Sequence, residues 1–290
     1  MVIRIGRQHA LIAAVLIIAV TFVFALCAEK KNTAVSSQIG TELPIVMYHH
    51  VTEKDSKAGK YVIKTSELES DLSFLKNRGY TAVTVSDLID YVDGKKTLPQ
   101  KIVMITFDDG FESVYQLAWP LLQKYQMKAV ASAVGTITET YTQNGDKNIN
   151  YAYMTWDELS EIDKSEEFEV QNHTYDMHHT DSSHRKGLSR MNGENEETYK
   201  KALTEDLSKM QESLKQNSGI NATAAVYPYG VYSSSTLGIV KELGFRCSMV
   251  CEERINTVIP GDSDSLFNLG RYNRPSGISS EEFFKKMKIE

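Results

Sequence analysis

The sequence is poor in cysteine and has no excess of basic residues. Its 290 residues include three cysteines, too few for a disulfide framework, which a chain of this length does not need. Cys247 and Cys251 have no other metal ligands near them in the sequence, so we interpret them as ordinary buried cysteines. The net charge is −6, which argues against a nucleic-acid partner. A neutral or cationic substrate fits this charge better.

Long apolar runs are also scarce, apart from one at the N-terminus. Two arginines precede an uncharged stretch over residues 10–28, a pattern typical of an export signal. The stretch is long for a cleaved signal and just long enough to span a bilayer, so residues 1–28 are predicted to be a signal peptide or a membrane anchor. Cys27 is compatible with lipid attachment, although bulky Leu26 precedes it where small residues are usual. The protein is therefore expected to be secreted or held at the outer face of the cell membrane.

Residues 29–42 are predicted to form a polar linker, and residues 43–290 a single α/β domain. Short apolar β-branched runs alternate there with amphipathic stretches, the pattern of parallel strands joined by crossover helices. Eight strands are predicted, at residues 44–48, 81–83, 102–106, 129–134, 169–171, 222–227, 246–250 and 266–269. Seven helices are predicted, at residues 66–78, 86–91, 112–125, 155–162, 197–216, 234–243 and 280–288. Two polar segments without periodicity, 138–150 and 182–196, are predicted to be surface insertions.

One predicted strand ends in two adjacent carboxylates. The strand at 102–106 is followed by Phe107, Asp108, Asp109 and Gly110. Two like charges so close disfavour joint ionisation unless a cation compensates, so the pair indicates a metal, a raised pKa or both. Taken alone, the segment is better interpreted as an ordinary turn.

Histidines follow a second predicted strand and change that interpretation. His173 and His178 are five residues apart, a spacing that lets a loop bring both to one ion, with His179 as an alternative second ligand. The carboxyl ends of parallel strands meet on one face, so these side chains are expected beside the Asp-Asp pair. One carboxylate and two histidines leave coordination positions open for water and substrate. That ligand set fits catalytic zinc, and also cobalt, nickel, manganese or iron.

Two further segments are predicted to reach the same face. The run Tyr-Pro-Tyr-Gly at residues 227–230 ends a strand in a rigid turn whose backbone N–H groups can face an oxyanion, although an ordinary turn is equally compatible. His49 and His50 follow the first strand, and either can be a general acid or a structural residue.

The motifs at residues 106–110, 173–178 and 227–230, in this order and spacing, resemble the first three motifs of the polysaccharide deacetylase family. This is carbohydrate esterase family 4, which carries the NodB-like homology domain. The Tyr-His-His run at residues 48–50 and the Arg-Tyr-Asn-Arg-Pro-Ser run at residues 271–276 resemble the subgroup that includes poly-N-acetylglucosamine deacetylases. The resemblance implies a distorted (β/α)7 barrel.

The resemblance also implies roles for individual residues. Asp108 matches the catalytic base, Thr174 would buttress its loop, and Tyr229 matches the residue whose backbone N–H holds the oxyanion. The metal ligands of the family match three residues, and this match is the reason to prefer His178 to His179: Asp109, His173 and His178. The remaining residues of the Tyr229 turn are expected to contact substrate: Tyr227, Pro228 and Gly230.

The sequence departs from the family pattern at two places. The arginine that usually precedes the Pro-Tyr-Gly turn and pairs with the catalytic aspartate is replaced, since Val226 and Tyr227 stand there. Asp108 is therefore expected to be tuned by another group. The late histidine motif that brings the general acid is also absent. In the resembling subgroup this role falls to the histidine after the tyrosine of the first strand, which favours His49 over His50.

Together these features predict a metal-dependent hydrolase that removes N-acetyl groups from a glucosamine-containing polysaccharide such as peptidoglycan or poly-N-acetylglucosamine. The expected partners are the polysaccharide and, through residues 1–28, the membrane. One alternative is a catalytically silent carbohydrate-binding protein of the cell envelope, which the missing arginine favours. The other is an esterase that acts on O-acetyl groups.

Overall fold

The computed structural model describes residues 40–181 and 183–290. The predicted signal or anchor at residues 1–28, Cys27 included, and most of the predicted linker lie outside the described residues. Thr41 and Glu42, placed in the linker by the sequence, instead begin strand β1 (Thr41–Leu43), which pairs antiparallel with β11 (Asn256–Val258). No helix in the described part of the chain combines the length and apolarity that crossing a bilayer requires.

The domain is built on one parallel sheet of eight strands. In chain order these are β2 (Ile45–Tyr48), β5 (Thr81–Ala82), β6 (Ile102–Phe107), β7 (Ala129–Ala133), β8 (Phe168–Asn172), β9 (Ala224–Val226), β10 (Cys247–Met249) and β12 (Tyr272–Asn273). Across the sheet the order is β10-β9-β8-β7-β6-β2-β12, and β5 also pairs with β6. A separate parallel pair consists of β3 (His50–Thr52) and β4 (Val62–Lys64).

Helices connect the strands, as the alternation in the sequence predicted. The described helices are α1 (Thr65–Asn77), α2 (Val85–Val92), α3 (Trp119–Tyr125), α4 (Gly135–Asn144), α5 (Trp156–Asp163), α6 (Glu196–Ser218), α7 (Thr236–Glu242) and α8 (Ser280–Lys285). A π-helical turn, Val114–Ala118, precedes α3. The prediction of an irregular insertion at 138–150 is wrong for its first half, because residues up to Asn144 belong to helix α4. It buries only Gly135 and Thr138, so no apolar stripe marks it in the sequence.

Successive residues of the central strands face two cores, as the period of a β-strand requires. On one face, residues such as Ile45 and Met104 pack against the side chains of α2. On the other face, residues such as Val46 and Ile105 pack against α1, α3, α5 and α8. Burial on both sides explains why these strands appear in the sequence as continuous apolar runs.

A segment near the C-terminus joins the two ends of the sheet. Leu269 pairs with Met249 of β10, and Tyr272 pairs with Val46 of β2, so the segment 269–273 closes the sheet into a distorted barrel. The strand predicted at 266–269 is wrong. Ser263–Leu266 form a short 3-10 helix, and Asn268 has a φ of 53°, which interrupts an extended chain.

Candidate metal centre and catalytic site

Three metal-ligating side chains converge at the carboxyl edge of the sheet. Asp109 follows β6, and His173 and His178 lie on the loop after β8. One ligand atom from each residue lies within 4.8 Å of the other two. The Nε2 atoms of His173 and His178 lie 3.4 Å and 3.1 Å from Oδ1 of Asp109. The structure therefore brings together the three residues that the sequence predicts to be metal ligands.

The chemistry of these donors fits a cation. His173 Nδ1 lies 2.9 Å from the carbonyl oxygen of Val226, and a carbonyl can only accept, so Nδ1 carries the proton. In the neutral imidazole, the form that binds a metal ion, Nε2 of His173 then presents its lone pair towards the Asp109 carboxylate. Oδ1 of Asp109 is buried and receives no hydrogen bond from the described residues. Two acceptors that face each other in a buried site repel unless a positive ion lies between them.

His179, the alternative second ligand, points elsewhere. Its Nε2 lies 2.9 Å from the backbone carbonyl of Asp176 and belongs to a separate, more exposed group with Asp181 and His184. His178, by contrast, contacts Tyr229, whose hydroxyl lies 3.1 Å from its Nδ1. The geometry thus separates two histidines that are adjacent in the sequence.

Beside the metal cluster, Asp108 forms a buried bidentate ion pair with Arg271. Two guanidinium nitrogens donate to the two carboxylate oxygens, each at 2.7 Å, and Ser132 Oγ donates to Oδ1 at 3.0 Å. Burial alone would raise the pKa of Asp108, but the positive charge of Arg271 and its two hydrogen bonds outweigh burial and lower that pKa to about 2. Asp108 is therefore ionised at neutral pH.

Arg271 is the tuning group that the sequence left unidentified. It lies in the segment that closes the barrel, one residue before β12, and its Nε donates to the carbonyl of Val250 at 3.1 Å. The run at residues 271–276 carries the resemblance to the subgroup, but the sequence alone indicates no role for Arg271. An arginine beside apolar, strand-forming residues was the available signal, because a buried guanidinium requires an acidic partner.

The two candidate general acids lie in different surroundings. Burial lowers the pKa of His49, and the negative charges of Asp108 and Asp109 oppose that change. Its ring meets the ring of Tyr61 at 5.1 Å, and its Nδ1 is buried without a hydrogen-bond partner among the described residues. His50 begins β3 and packs edge-on against Phe111 at 4.9 Å. Burial lowers the pKa of His50 as well, but the site carboxylates are not among the charges that act on it.

The turn after β9 brings Tyr229 to the site but not its neighbours. Tyr229 lines the cavity, whereas Tyr227 is fully buried in the core and Pro228 is buried. At Gly230 a Cβ atom would lie 2.5 Å from the backbone nitrogen of Cys251, so only glycine fits. Tyr227, Pro228 and Gly230 do not line the cavity, and their contact with substrate stays a prediction. These residues shape the turn beneath the cavity.

Backbone strain concentrates at the same motifs. Six of the described non-glycine residues have positive φ, and three of them belong to the site: Asp109 at 73°, Thr174 at 72° and Tyr229 at 60°. Such conformations persist where the surrounding structure enforces them, and they cluster at functional sites. Thr174 is fully buried and its hydroxyl accepts from Met177 N at 3.2 Å, which braces the loop that carries both histidine ligands.

A cavity of about 810 Å³ opens above these residues. Its lining includes the metal cluster, Asp108, His49 and a wall of aromatic side chains from Tyr61, Phe111, Tyr151, Tyr153 and Tyr229. Its volume lies in the upper part of the range for ligand sites, which leaves room for more than an acetyl group.

Known proteins share this sequence pattern and fold. The sequence profile of the polysaccharide deacetylase family matches residues 95–248. The poly-beta-1,6-N-acetyl-D-glucosamine N-deacetylase of Escherichia coli K12 is 27% identical over 235 residues, which cover 75% of this chain and 35% of the relative. The enzyme of that name from Staphylococcus aureus MRSA252 is 26% identical over 242 residues, covering 83% of this chain and 75% of the relative.

A solved structure confirms the fold. The de-N-acetylase from Aggregatibacter actinomycetemcomitans superposes with a TM-score of 0.69 at 25% identity, and the match covers 85% of this chain and 98% of that one. The match to the Escherichia coli relative leaves about two thirds of that protein without a counterpart here.

Proposed function

Because this chain belongs to the polysaccharide deacetylase family, we propose that it is a metal-dependent hydrolase that removes N-acetyl groups from a glucosamine-containing polysaccharide outside the cell. The observation that carries the proposal is the cluster of Asp109, His173 and His178 beside the Asp108–Arg271 pair in one cavity. The relatives named poly-beta-1,6-N-acetyl-D-glucosamine N-deacetylase support the choice of an N-acetyl group. Export and membrane contact are proposed from the apolar run at residues 10–28.

Asp109, His173 and His178 would hold the metal ion. Zinc is the ion we propose, because one carboxylate and two imidazoles are its usual donors, and cobalt, nickel, manganese and iron accept the same set. When bound, such an ion polarises an acyl carbonyl and lowers the pKa of nearby water from about 15.7 towards neutrality.

The residues of the chain supply the remaining chemistry. Asp108, held ionised and oriented by Arg271, accepts the proton of the attacking water. The backbone N–H of Tyr229 donates to the oxyanion that develops on the acetyl carbonyl. His49 gives a proton to the departing nitrogen, so the products are acetate and a free amino sugar.

The structure weakens the case for a silent binding protein. That alternative depends on the missing arginine before the Pro-Tyr-Gly turn, and Arg271 provides the same charge to Asp108 from the segment that closes the barrel. A buried ion pair next to a preformed donor cluster is expected of a working site.

Acetate release from a panel of acetylated glycans tests the proposal. The protein is stripped of metal, reconstituted with zinc or cobalt, and offered N-acetylglucosamine oligomers and O-acetylated sugars at matched acetyl concentration. We expect release from the N-acetylated oligomers by the reconstituted protein only. Faster release from the O-acetylated sugars would make it an esterase, and no release with either metal would favour the binding role.

A further inference from the structure

Two lysine–tyrosine pairs flank the candidate metal centre. Lys60 Nζ lies 5.0 Å from the centroid of the Tyr61 ring, which in turn packs against His49. Lys186 Nζ lies 5.6 Å from the centroid of the Tyr229 ring, whose own centroid is 4.6 Å from that of His178. The backbone of Lys186 also pairs with that of His178 in an isolated β-bridge. Lys60 therefore lies next to the tyrosine that contacts His49, and Lys186 lies next to the tyrosine that contacts His178.

The charges of these lysines are not neutralised by neighbours. Three lysines line the cavity, Lys57, Lys60 and Lys186, and none of them forms an ion pair with a carboxylate of the described residues. Apart from Asp108 and Asp109, Glu253 is the one acidic residue in the described lining. Outside the two aspartates at the metal centre, the lining therefore carries three exposed lysines and one exposed glutamate, so its exposed part has a net positive charge in a chain of net charge −6.

The aromatic lining gives a long substrate room to lie across this centre. Tyr61 and Tyr151 both line the cavity, and they are 50% and 52% exposed. Large exposed aromatic side chains in a cleft mark a binding surface rather than a core. A polymer that fills the cavity would bring sugars next to the acetylated one close to Lys60 and Lys186, which also line it.

We propose, building on the deacetylase function above, that the cleft selects a glucosamine polymer whose neighbouring sugars carry anionic groups, which Lys60 and Lys186 bind. The overall charge predicts a neutral or cationic substrate, and this proposal differs from that prediction because it considers the charges that line the cleft. The same lysines repel the protonated amine that deacetylation creates, which favours product release and disfavours chains that are already deacetylated.

Steady-state kinetics on matched oligomers test the proposal. The reconstituted enzyme is given neutral N-acetylglucosamine oligomers, oligomers of equal length in which alternate sugars carry carboxylates, and a third set that carries phosphates. We expect kcat/KM to be about tenfold higher for the preferred anionic set, the order expected of two exposed ion pairs. That preference should shrink at 0.5 M salt, where such pairs are screened. The anionic set with the higher value identifies the group recognised.

The variants make the test specific to the two lysines. Lys60→Gln/Lys186→Gln should lose most of the ratio between anionic and neutral substrates. Lys164→Gln/Lys215→Gln, which removes the same charge from exposed positions outside the cavity lining, should keep it. Equal kcat/KM on neutral and anionic oligomers in the unmodified enzyme, or a ratio that survives in the Lys60/Lys186 variant, would overturn the inference and leave the deacetylase function intact. No acetate from any oligomer would instead contradict the deacetylase function.

Discussion

The carboxylate of Asp108 and the guanidinium of Arg271 are buried together, and each is the main counter-charge of the other. Removing one member of such a pair leaves a buried, uncompensated charge. We expect Arg271→Met to lower the free energy of unfolding by about 3–5 kcal/mol, measured by urea denaturation. Acetate release should fall as well, because Asp108 loses its fixed orientation.

The control for this variant removes both charges. Asp108→Asn/Arg271→Met leaves no unpaired charge, so it should recover most of the lost stability and none of the activity. A double variant as unstable as Arg271→Met would show that the arginine stabilises the domain through packing and not through the ion pair.

His49 and His50 are adjacent, so they form a matched pair for testing the general acid. We expect His49→Gln to lower kcat by about 10²–10⁴-fold, the usual contribution of a general acid, with metal content unchanged. His50→Gln should lower kcat by less than about tenfold, because His50 packs on Phe111 and the charges of Asp108 and Asp109 are not among those that shift its pKa. If His50→Gln lowers kcat more than His49→Gln does, His50 and not His49 is the general acid.

The buried carboxyl group of Glu112, outside the metal cluster, is expected to make the stability of the fold depend on pH. Burial and the charge of Glu158 raise the pKa of Glu112 to about 7. The folded state then binds a proton more tightly than the unfolded state, so this group makes stability fall as pH rises from its ordinary pKa through about 7. Glu112→Gln should match the unmodified protein at pH 4.5 and be more stable by about 1–3 kcal/mol at pH 8.

Urea unfolding at the two pH values measures this difference, and the exposed Glu166→Gln is the matched control. That control should change stability by less than about 0.5 kcal/mol at either pH. A stability difference for Glu112→Gln that is the same at pH 4.5 and pH 8 would show that the carboxyl group is not held protonated by the fold.

Helix α8 is short, yet it covers part of the core next to α1. Phe284 is fully buried and stacks on Phe74 of α1 at a centroid distance of 5.3 Å. Phe284→Ala should lower the free energy of unfolding by about 3–5 kcal/mol through lost burial and an open cavity. The kcat of the folded fraction should stay close to normal, because Phe284 does not line the active cavity.

Thermal unfolding and acetate release on the same samples test this separation. Lys285→Ala, at an exposed neighbouring position, should change stability by less than about 0.5 kcal/mol. A loss of kcat in Phe284→Ala at a temperature where the protein is fully folded would mean that α8 also positions the site.

At the level of elements, the sequence predicted the central strands well because their burial on both faces leaves unbroken apolar runs. Strands β6, β7 and β8 lie within one residue of their predicted bounds. The sequence did not predict β12 or α4, because neither element has an unbroken or periodic set of buried apolar residues. Tyr272 and Asn273 are half-buried, and α4 buries two small residues, so neither element carries a periodic apolar pattern.

At the scale of the whole molecule, the metal ligands could be predicted because each follows a strand whose end is visible in the sequence. Arg271 could not be assigned in the same way, since it lies 163 residues from Asp108 and reaches it only when the segment 269–273 closes the barrel. The preference for His178 over His179 likewise depended on family resemblance, because the loop geometry that separates them is not encoded in a local pattern.

The central claim is that Asp109, His173 and His178 hold a metal ion while Asp108 performs the chemistry beside it. It is tested most directly by measuring bound metal and acetate release on the same samples of unmodified protein, Asp108→Asn and Asp109→Asn. Asp108→Asn should retain its metal and lose acetate release, and Asp109→Asn should lose both. Full acetate release by Asp108→Asn, or by unmodified protein stripped of metal, would contradict the account.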